Sequence, residues 1–327
     1  MRIVFHGDNA ASFSRDFESL VGPDAEICVL PDVLGDPVDR QRYSNADIII
    51  GTKFDATVPV RPDLKLFHVP AAGYDAIKMD SLPLTTTVCN CFGHEQAIAE
   101  YVMAALLARH VPLLDADARL RQGDWTYWAG SLSRVHDEMA GKTIGLLGFG
   151  HIGKAIAARA RAFEMSVSVA NRSVVAPSLL VDRSFTLDQL QEFWGSADFI
   201  VVSVPLTPET KGIVGHDAFA AMRPTAVVLN VGRGPTIDEA SLYAALKSGR
   251  IAGAIIDTWY TYPTPEAPCP QPSALPFHEL RNLLMTPHMS GWTSGTVRRR
   301  QRTIADNILN LSRGLPCINV VRAAAPG

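Results

Sequence analysis

Short apolar runs recur along this chain, and between them lie stretches whose apolar positions are spaced three and four apart. The first pattern is that of a strand buried on both faces, the second that of an amphipathic helix. In the first third, strands are predicted over 3–6, 25–30, 47–51, 64–69 and 86–89. A long helix is predicted over 95–121, with a kink at Pro112, whose ring removes a backbone donor. The middle section repeats the alternation. Its strands are predicted over 143–147, 166–170, 199–204, 226–230 and 254–257, with helices beginning near Ile152, Thr186, His216 and Ile237. A last helix is predicted over 293–313.

Alternation of this kind predicts an α/β fold with parallel sheets. At 327 residues the chain suggests two domains, each large enough for its own core. The proline-rich stretch from Tyr262 to Pro272 can be neither a helix nor a central strand, so it reads as a loop. The middle block is complete in itself. The first block and the last helix would then make the other domain, with the chain crossing twice.

One segment adds chemistry to this frame. Gly148, Gly150 and Gly153 form G-x-G-x-x-G between a predicted strand and a predicted helix. In that context Gly148 permits a tight turn, Gly150 lets the backbone approach a pyrophosphate, and Gly153 lets the helix pack on the strand. The helix start offers free N–H groups to phosphates. A dinucleotide-binding domain is the expectation. After its second strand such a domain usually carries an acidic residue for the ribose 2′-OH. Here Asn171, Arg172 and Ser173 stand there instead. Without a carboxylate, and with a guanidinium, the site leans to NADP(H) over NAD(H). The alternative is an Arg172 that only stacks on adenine.

Charge narrows the partners. The formal net charge is −3, so nucleic acid and membrane surfaces are not expected as partners. Arg298, Arg299, Arg300 and Arg302 cluster, which reads as a solvated helix face. Met1 to Gly7 reads as a first strand rather than a signal segment. No apolar run is long enough to span a bilayer, and a cytoplasmic protein is expected. Five cysteines without a framework spacing read as free thiols. Cys89 and Cys91 lack a second Cys/His pair nearby, and no metal site is expected.

Three polar residues sit where strands of the middle block end. Arg233, between Gly232 and Gly234, has little packing purpose there, but its fork suits a carboxylate and an adjacent carbonyl. Asp257 closes a buried strand and must face a crevice or be paired. His288, in Thr286-Pro-His288, is a natural acid–base group near neutral pH.

At these residues the chain resembles the D-isomer-specific 2-hydroxyacid dehydrogenase family. The resemblance runs through Ala72-Gly-Tyr-Asp75, Ala99-Glu100, Arg121-Gln-Gly-Asp-Trp125, Gly141-Lys-Thr143 and the glycine motif. It continues through Val204-Pro-Leu-Thr-Pro-Glu-Thr210, Asn230-Val-Gly-Arg-Gly234 and Thr286-Pro-His288. It implies two doubly wound parallel-sheet domains with the active site in the cleft. One is a central Rossmann NAD(P)-binding domain, 98–290. The other is a discontinuous flavodoxin-like substrate domain, 1–97 plus 291–327. It implies that Arg233 anchors a 2-oxo acid and that His288 protonates its carbonyl oxygen as hydride arrives. N–H groups at Ala72 and Gly73 would bind the carboxylate, with Tyr74, His94 and Trp292 facing the substrate. Pro205 and Thr210 would line the adenosine half, and Asp257 would meet the nicotinamide carboxamide. His151, Ile152, Val204, Val231, Gly232, His288 and Gly291 complete the expected cofactor-binding set.

The chain departs from the family at one catalytic position. Members usually carry a Glu that pairs with the histidine, in an Asp-x-x-x-x-Glu-Pro pattern. Here the pattern reads Asp257-Thr-Trp-Tyr-Thr-Tyr262-Pro263. A carboxylate would favour the charged imidazole, whereas a phenol can orient the ring but supplies no charge. Either Tyr262 hydrogen-bonds His288, or Glu266 or Glu279 substitutes. Trp259-Tyr260 and the loop after it are also locally similar to formate dehydrogenases. Three activities therefore stand: a glyoxylate- or hydroxypyruvate-type reductase, a formate dehydrogenase-like enzyme, and a nucleotide-sensing corepressor-like protein. The resemblance also implies a homodimer through the cofactor domain, and 109–130, with Trp125, Tyr127 and Trp128, suits such an arm.

Overall fold

The computed structural model describes residues 1–55, 57–130, 132–264 and 266–325, apart from the side chain of Ser133. Pro326 and Gly327, the end of the expected range 291–327, lie outside the described residues. So does Pro265 of the proline-rich loop. The chain divides into two compact units, Met1–His94 with the segment from Trp292 onward, and Glu95–Gly291.

The first unit opens with β1 (Arg2–His6), α1 (Asp8–Ala11), α2 (Glu18–Val21), β2 (Glu26–Leu30), α3 (Pro37–Ser44), β3 (Ile48–Gly51), β4 (Leu66–His68) and β5 (Thr87–Cys89). The second holds α4 (Glu95–His110), α5 (Leu113–Leu120), β6 (Thr143–Leu147), α6 (His151–Ala162), β7 (Ser166–Ala170), β8 (Arg183–Phe185), α7 (Leu190–Ser196) and β9 (Phe199–Val202). It continues with α8 (His216–Ala221), β10 (Val227–Asn230), α9 (Glu239–Lys247), β11 (Gly253–Ile256) and β12 (Leu283–Met285). The chain then returns to the first unit with α10 (Ser294–Ser312) and β13 (Val320–Arg322).

Each unit is built on one sheet. The second unit's runs β12-β11-β10-β9-β6-β7-β8 and is parallel throughout. The first unit's runs β13-β5-β4-β3-β1-β2 and is parallel except at its edge, where β13 pairs antiparallel with β5. That edge strand makes the first sheet mixed. Its short half-exposed sequence, Val320-Val-Arg322, carries no period that would have announced it.

Both sheets are covered on both faces, which is why their strands read as unbroken apolar runs. In β1, Ile3 and Phe5 enter one core while Val4 enters the opposite one. In β9, Phe199 and Val201 face one side and Ile200 and Val202 the other. Most predicted strands are shorter by one or two residues at an end, as strand termini commonly are. β8 was not anticipated, because Arg183-Ser-Phe185 is short and polar.

The helix predicted over 95–121 is two helices. α4 and α5 meet at a bend of 49°, with Pro112 as the residue that caps α5. A proline lacks the N–H that would continue the ladder, and it also pushes its predecessor, Val111, out of helical backbone. No single helix is long and apolar enough to cross a membrane, and only this bent pair reaches that length and composition together. The apolar side chains of α4, among them Ile98, Val102 and Leu106, are buried in the unit's core. Side-chain caps fix the starts of α9 and α10. Asp238 accepts from Ser241 N at 2.8 Å and moves the start of α9 to Glu239, and Thr293 accepts from Thr296 N at the start of α10. The arginine cluster on α10 is not uniformly solvated. Arg298 and Arg302 are exposed, but Arg299 Nε donates to Gly93 O at 2.8 Å and Arg300 is buried.

A polar pair crosses the first core. His68, fully buried on β4, receives Asn307 Nδ2 at 3.0 Å on Nε2 and lies 3.3 Å from Val69 O through Nδ1. Burial holds the imidazole down to a pKa of about 4, from an ordinary 6.5. The unfolded chain therefore takes up a proton that the folded one refuses. The stability from this group is complete above pH 6.5 and is lost as pH falls towards 4, an effect of about 3 kcal/mol. Guanidinium unfolding at pH 7, 5.5 and 4 should show that decline in the first unit's transition. In His68→Gln the corresponding component should be absent.

Candidate active site

The second sheet reverses its strand order between β6 and β9, and ligands of open α/β sheets bind beyond the strand ends at such a point. The glycine turn lies there. Gly148 has φ +98°, a backbone region that favours glycine, and a Cβ on it would meet Val204 Cγ1 at 3.0 Å. A Cβ on Gly153 would collide with the carbonyl oxygen of Gly148, so α6 could not pack this closely on the turn. Around Gly150 a Cβ would meet nothing within 4 Å. Gly150 is also the N-cap of the twelve-residue α6, with no side chain closing that helix end. Open space over uncapped N–H groups fits a dinucleotide diphosphate. His151 and Ile152 form the first turn of α6.

Beyond β7, Asn171 Nδ2 points to Ser173 O at 3.2 Å and Ser173 Oγ at 3.4 Å, which shapes a tight turn. Arg172 and Ser173 are exposed on it. Its charge reaches Glu209 in the loop after β9 and helps hold that carboxyl low, behind the hydrogen bond from Thr207. In the same loop Thr210 Oγ1 donates to Pro205 O at 2.6 Å and accepts from Thr207 N at 2.8 Å. Thr210 thus holds Pro205 in place.

Arg233 is presented by a tightly pinned turn after β10. A Cβ on Gly232 would meet Val204 O at 2.8 Å, and one on Gly234 would collide with the backbone of Trp259. Asn230, buried, accepts from Gly232 N and donates to Arg233 O, both at 3.0 Å. Thr236, also buried, donates to the same carbonyl at 2.6 Å. The Arg233 backbone is thereby fixed, the residue is half-buried, and its Nη1 donates to Gly232 O at 3.0 Å. Val231 is buried beside it.

His288 sits on a second pinned turn, organised by Asp257. That carboxylate is fully buried at the end of β11. Its Oδ1 accepts from Thr286 Oγ1 at 2.6 Å and Met289 N at 2.9 Å, and its Oδ2 accepts from Ser290 N at 3.0 Å. The chain between these anchors is forced into a curl, and His288 at its apex has φ +58°. A non-glycine residue in that region is held there by its surroundings. Thr286 is gripped further, by the Trp259 indole donating to its carbonyl at 2.8 Å and by the Tyr101 hydroxyl 2.6 Å from its Oγ1. Burial pushes the Tyr101 phenol up to about 12, so it stays protonated and serves as the donor.

Tyr262 completes the group. Its hydroxyl lies 2.9 Å from Nδ1 of His288 and accepts from Trp259 N at 3.0 Å. Burial of the hydroxyl end raises its pKa, against a lowering by the Trp259 N–H and the Arg233 charge. Glu266 and Glu279 are both exposed. Of the alternatives open in the sequence, Tyr262 is the residue that meets the imidazole. The side chains of Tyr101, Thr286, Asn230 and Thr236 were not singled out in the sequence. Asn230 and Thr236 are buried and Tyr101 and Thr286 half-buried, and their importance comes from the partners they meet, which one position in a sequence does not reveal.

The substrate-facing candidates of the first unit stand on their own. Ala72 O accepts from Asn90 Nδ2 at 2.8 Å, which holds the loop after β4. Among the described residues, the N–H groups of Ala72, Gly73 and Tyr74 donate to no protein acceptor. Trp292 is exposed on one face and packs edge-on against Phe13, with ring centroids 5.7 Å apart. His94 closes this segment and is half-buried, as Gly291 is at the end of the second unit.

The family model of the D-isomer specific 2-hydroxyacid dehydrogenase NAD binding domain matches residues 102–290. The chain belongs to the D-isomer-specific 2-hydroxyacid dehydrogenase family. Its second unit is thus the NAD(P)-binding Rossmann domain of a family of NAD(P)-dependent oxidoreductases, as the glycine cradle requires. Among relatives of this chain, the D-3-phosphoglycerate dehydrogenase of Archaeoglobus fulgidus is 32% identical over 273 residues, which is 83% of this chain. The chain spans only 50% of that relative's length. The glyoxylate reductase of Thermococcus gammatolerans is 28% identical over 315 residues, 92% of this chain and 86% of its own. Among solved structures, an acyclic imino acid reductase in complex with NADPH and D-Arg superposes with a TM-score of 0.78 at 26% identity. It covers 98% of this chain and 100% of its own.

Removing the Asp257 carboxylate would leave the Thr286 hydroxyl and two backbone N–H groups unpaired in a buried place. Asp257→Ala should therefore lower stability by about 2 kcal/mol or more. It should also misplace the His288 ring, cutting turnover on the order of 100-fold. Thermal denaturation and steady-state kinetics on the same preparation separate the two effects.

Proposed function

We propose that this protein is an NAD(P)H-dependent reductase of small 2-oxo acids, of the glyoxylate or hydroxypyruvate type, with NADP(H) as the preferred cofactor. The observation that carries the reading is the meeting of Arg233, Tyr262 and His288 in the unit that holds the glycine cradle. The phenol of Tyr262 touches the imidazole and feels the Arg233 charge. A cation, a neutral hydroxyl and an acid–base group are what reduction of an anionic ketone needs.

The roles follow from the chemistry. Gly148, Gly150 and Gly153 with the start of α6 hold the diphosphate. Asn171, Arg172 and Ser173 take the ribose end, where a guanidinium and no carboxylate suit a 2′-phosphate. A bound nicotinamide supplies the hydride. Arg233 binds the substrate carboxylate with its fork and draws electron density towards the carbonyl oxygen. His288 gives that oxygen a proton from Nε2. Asp257, whose oxygens serve the His288 turn, retains one accepting lone pair for a carboxamide. The uncommitted N–H groups of Ala72 and Gly73 suit a carboxylate, and Tyr74, His94 and Trp292 are the proposed side-chain contacts. The proposed setting is the cytoplasm.

A second reading, formate oxidation, is favoured by the uncharged partner of His288. Formate yields carbon dioxide and a hydride and needs no proton transfer.

Exposed apolar side chains bear on assembly. Leu114 is 86% exposed, and Trp125 and Trp128 are each 65% exposed. Such a set of large apolar groups on one segment fits a face covered by a second copy, and a homodimer through the cofactor domain is proposed.

NADPH and NADH oxidation against glyoxylate, hydroxypyruvate, pyruvate and phenylpyruvate tests the activity. Turnover with NADPH favoured is expected, and Arg172→Ala should raise the KM for NADPH about tenfold, or roughly 1.4 kcal/mol. Tight cofactor binding without turnover of any of these acids or of formate would leave a sensor. Light scattering should give twice the chain mass, and Leu114→Glu with Trp125→Glu should shift it to the monomer.

A further inference from the structure

The hydrogen bonds of Tyr262 bear on where the imidazole proton resides. A phenol oxygen carries one proton and two accepting lone pairs. One lone pair takes Trp259 N–H at 3.0 Å, and the other contact of the hydroxyl is Nδ1 of His288 at 2.9 Å. If Nδ1–H were the donor, no protein group among the described residues would accept the phenol's own proton. If the hydroxyl donates to Nδ1, both contacts are satisfied. Electrostatics favours the second arrangement. The Arg233 guanidinium attracts the phenol oxygen and repels its proton, turning the O–H towards the imidazole.

The titratable and charged groups brought to this turn agree with that choice. From the proline-rich loop comes Tyr262 itself, partly exposed, whose pKa is raised first by desolvation, so that it keeps its proton. From the turn after β10 comes Arg233. From the end of β11 comes Asp257, whose carboxylate accepts from Thr286, Met289 N and Ser290 N and whose charge also helps the Tyr262 phenol keep its proton. From α4 comes Tyr101, neutral and bonded to Thr286.

We propose that Tyr262 is a positioning residue that sets the tautomer of His288, donating its hydroxyl proton to Nδ1 and so placing the neutral ring's proton on Nε2. A carboxylate in the same place would do the reverse. It can only accept, so it would hold the ring proton on Nδ1 and leave Nε2 bare.

Two consequences follow, and their bearing on catalysis rests on the reductase reading above. The neutral ring offers a 2-oxo acid an N–H donor at Nε2, which binds and polarises the carbonyl oxygen. Proton transfer needs the imidazolium. As hydride bonds to the carbonyl carbon, the C=O π pair moves to oxygen, oxygen takes the Nε2 proton, and the imidazolium becomes neutral. To form that imidazolium, Nδ1 must gain a proton, and the hydroxyl must turn from donor to acceptor beside the Arg233 charge. The neutral ring is therefore favoured. Reduction should fall, as pH rises, at a lower pH than it would with a carboxylate partner.

The deciding experiment needs no substrate. The full-length chain, labelled with 15N-histidine, is titrated from pH 4.5 to 9 by long-range 1H–15N spectroscopy, with His288→Asn identifying the signal. The expected neutral ring has protonated Nε2 and bare Nδ1. Tyr262→Glu should move the proton to Nδ1 and raise the titration midpoint by about one pH unit, a tenfold change in proton concentration. Tyr262→Phe should give a mixture of tautomers and serves alone if the Glu variant does not fold. A wild-type neutral ring protonated at Nδ1 would overturn the proposal, as would a midpoint or tautomer unmoved by either variant. Because the spectrum reads the ring directly, absence of 2-oxo acid turnover would count against the reductase reading and leave this inference standing.

Discussion

The Asp257 carboxylate organises the chemistry of the second unit. It stands fully buried just past the end of β11, and it accepts from three donors of one short loop. A buried carboxylate without such donors would be costly, and so would the donors without it. The mutual requirement bends the loop until His288 adopts left-handed backbone geometry. Trp259 and Tyr101 then grip Thr286, so that the turn is held from the β11 side and from α4. The imidazole is positioned by what its neighbours need as much as by its own contacts.

A parallel construction presents Arg233. Close backbone approaches at Gly232 and Gly234 leave no room for side chains, while Asn230 and Thr236 absorb the backbone groups of the turn. The Arg233 turn follows β10 and the His288 turn follows β12, and β11, which ends at Asp257, lies between them in one parallel sheet. Register therefore sets the distance between the two functional groups. Tyr262 joins them, because one phenol hydrogen-bonds the histidine and responds to the arginine. Replacing a carboxylate by a phenol here keeps the geometry of a pairing while changing its charge and its direction of donation.

The nucleotide end follows a different logic. There the functional groups are backbone N–H groups, and the sequence contributes mainly by omitting side chains at Gly148, Gly150 and Gly153. Each omission has its own reason: positive φ, open space, and a carbonyl in contact.

Much of this was legible in the chain alone. Unbroken apolar runs marked the strands, because a parallel sheet covered on both faces gives each strand no polar side. The glycine spacing marked the nucleotide turn, and Pro112 marked a break in the helix, although not that two separate helices would result. Arg233 and His288 stood out as a cation and an acid–base group beyond buried strands, and Tyr262 because it stands where the family pattern has a Glu. The tertiary structure decided the rest. It brought the Tyr262 hydroxyl to Nδ1 of His288, since contact depends on how a proline-rich loop folds back and local pattern says nothing of that. It gave Tyr101, Thr286, Asn230 and Thr236 their roles, because a polar side chain becomes a structural determinant only once it is buried beside a particular donor or acceptor. It added β13 as an antiparallel edge, because an edge strand is specified by the neighbour it pairs with more than by its own residues.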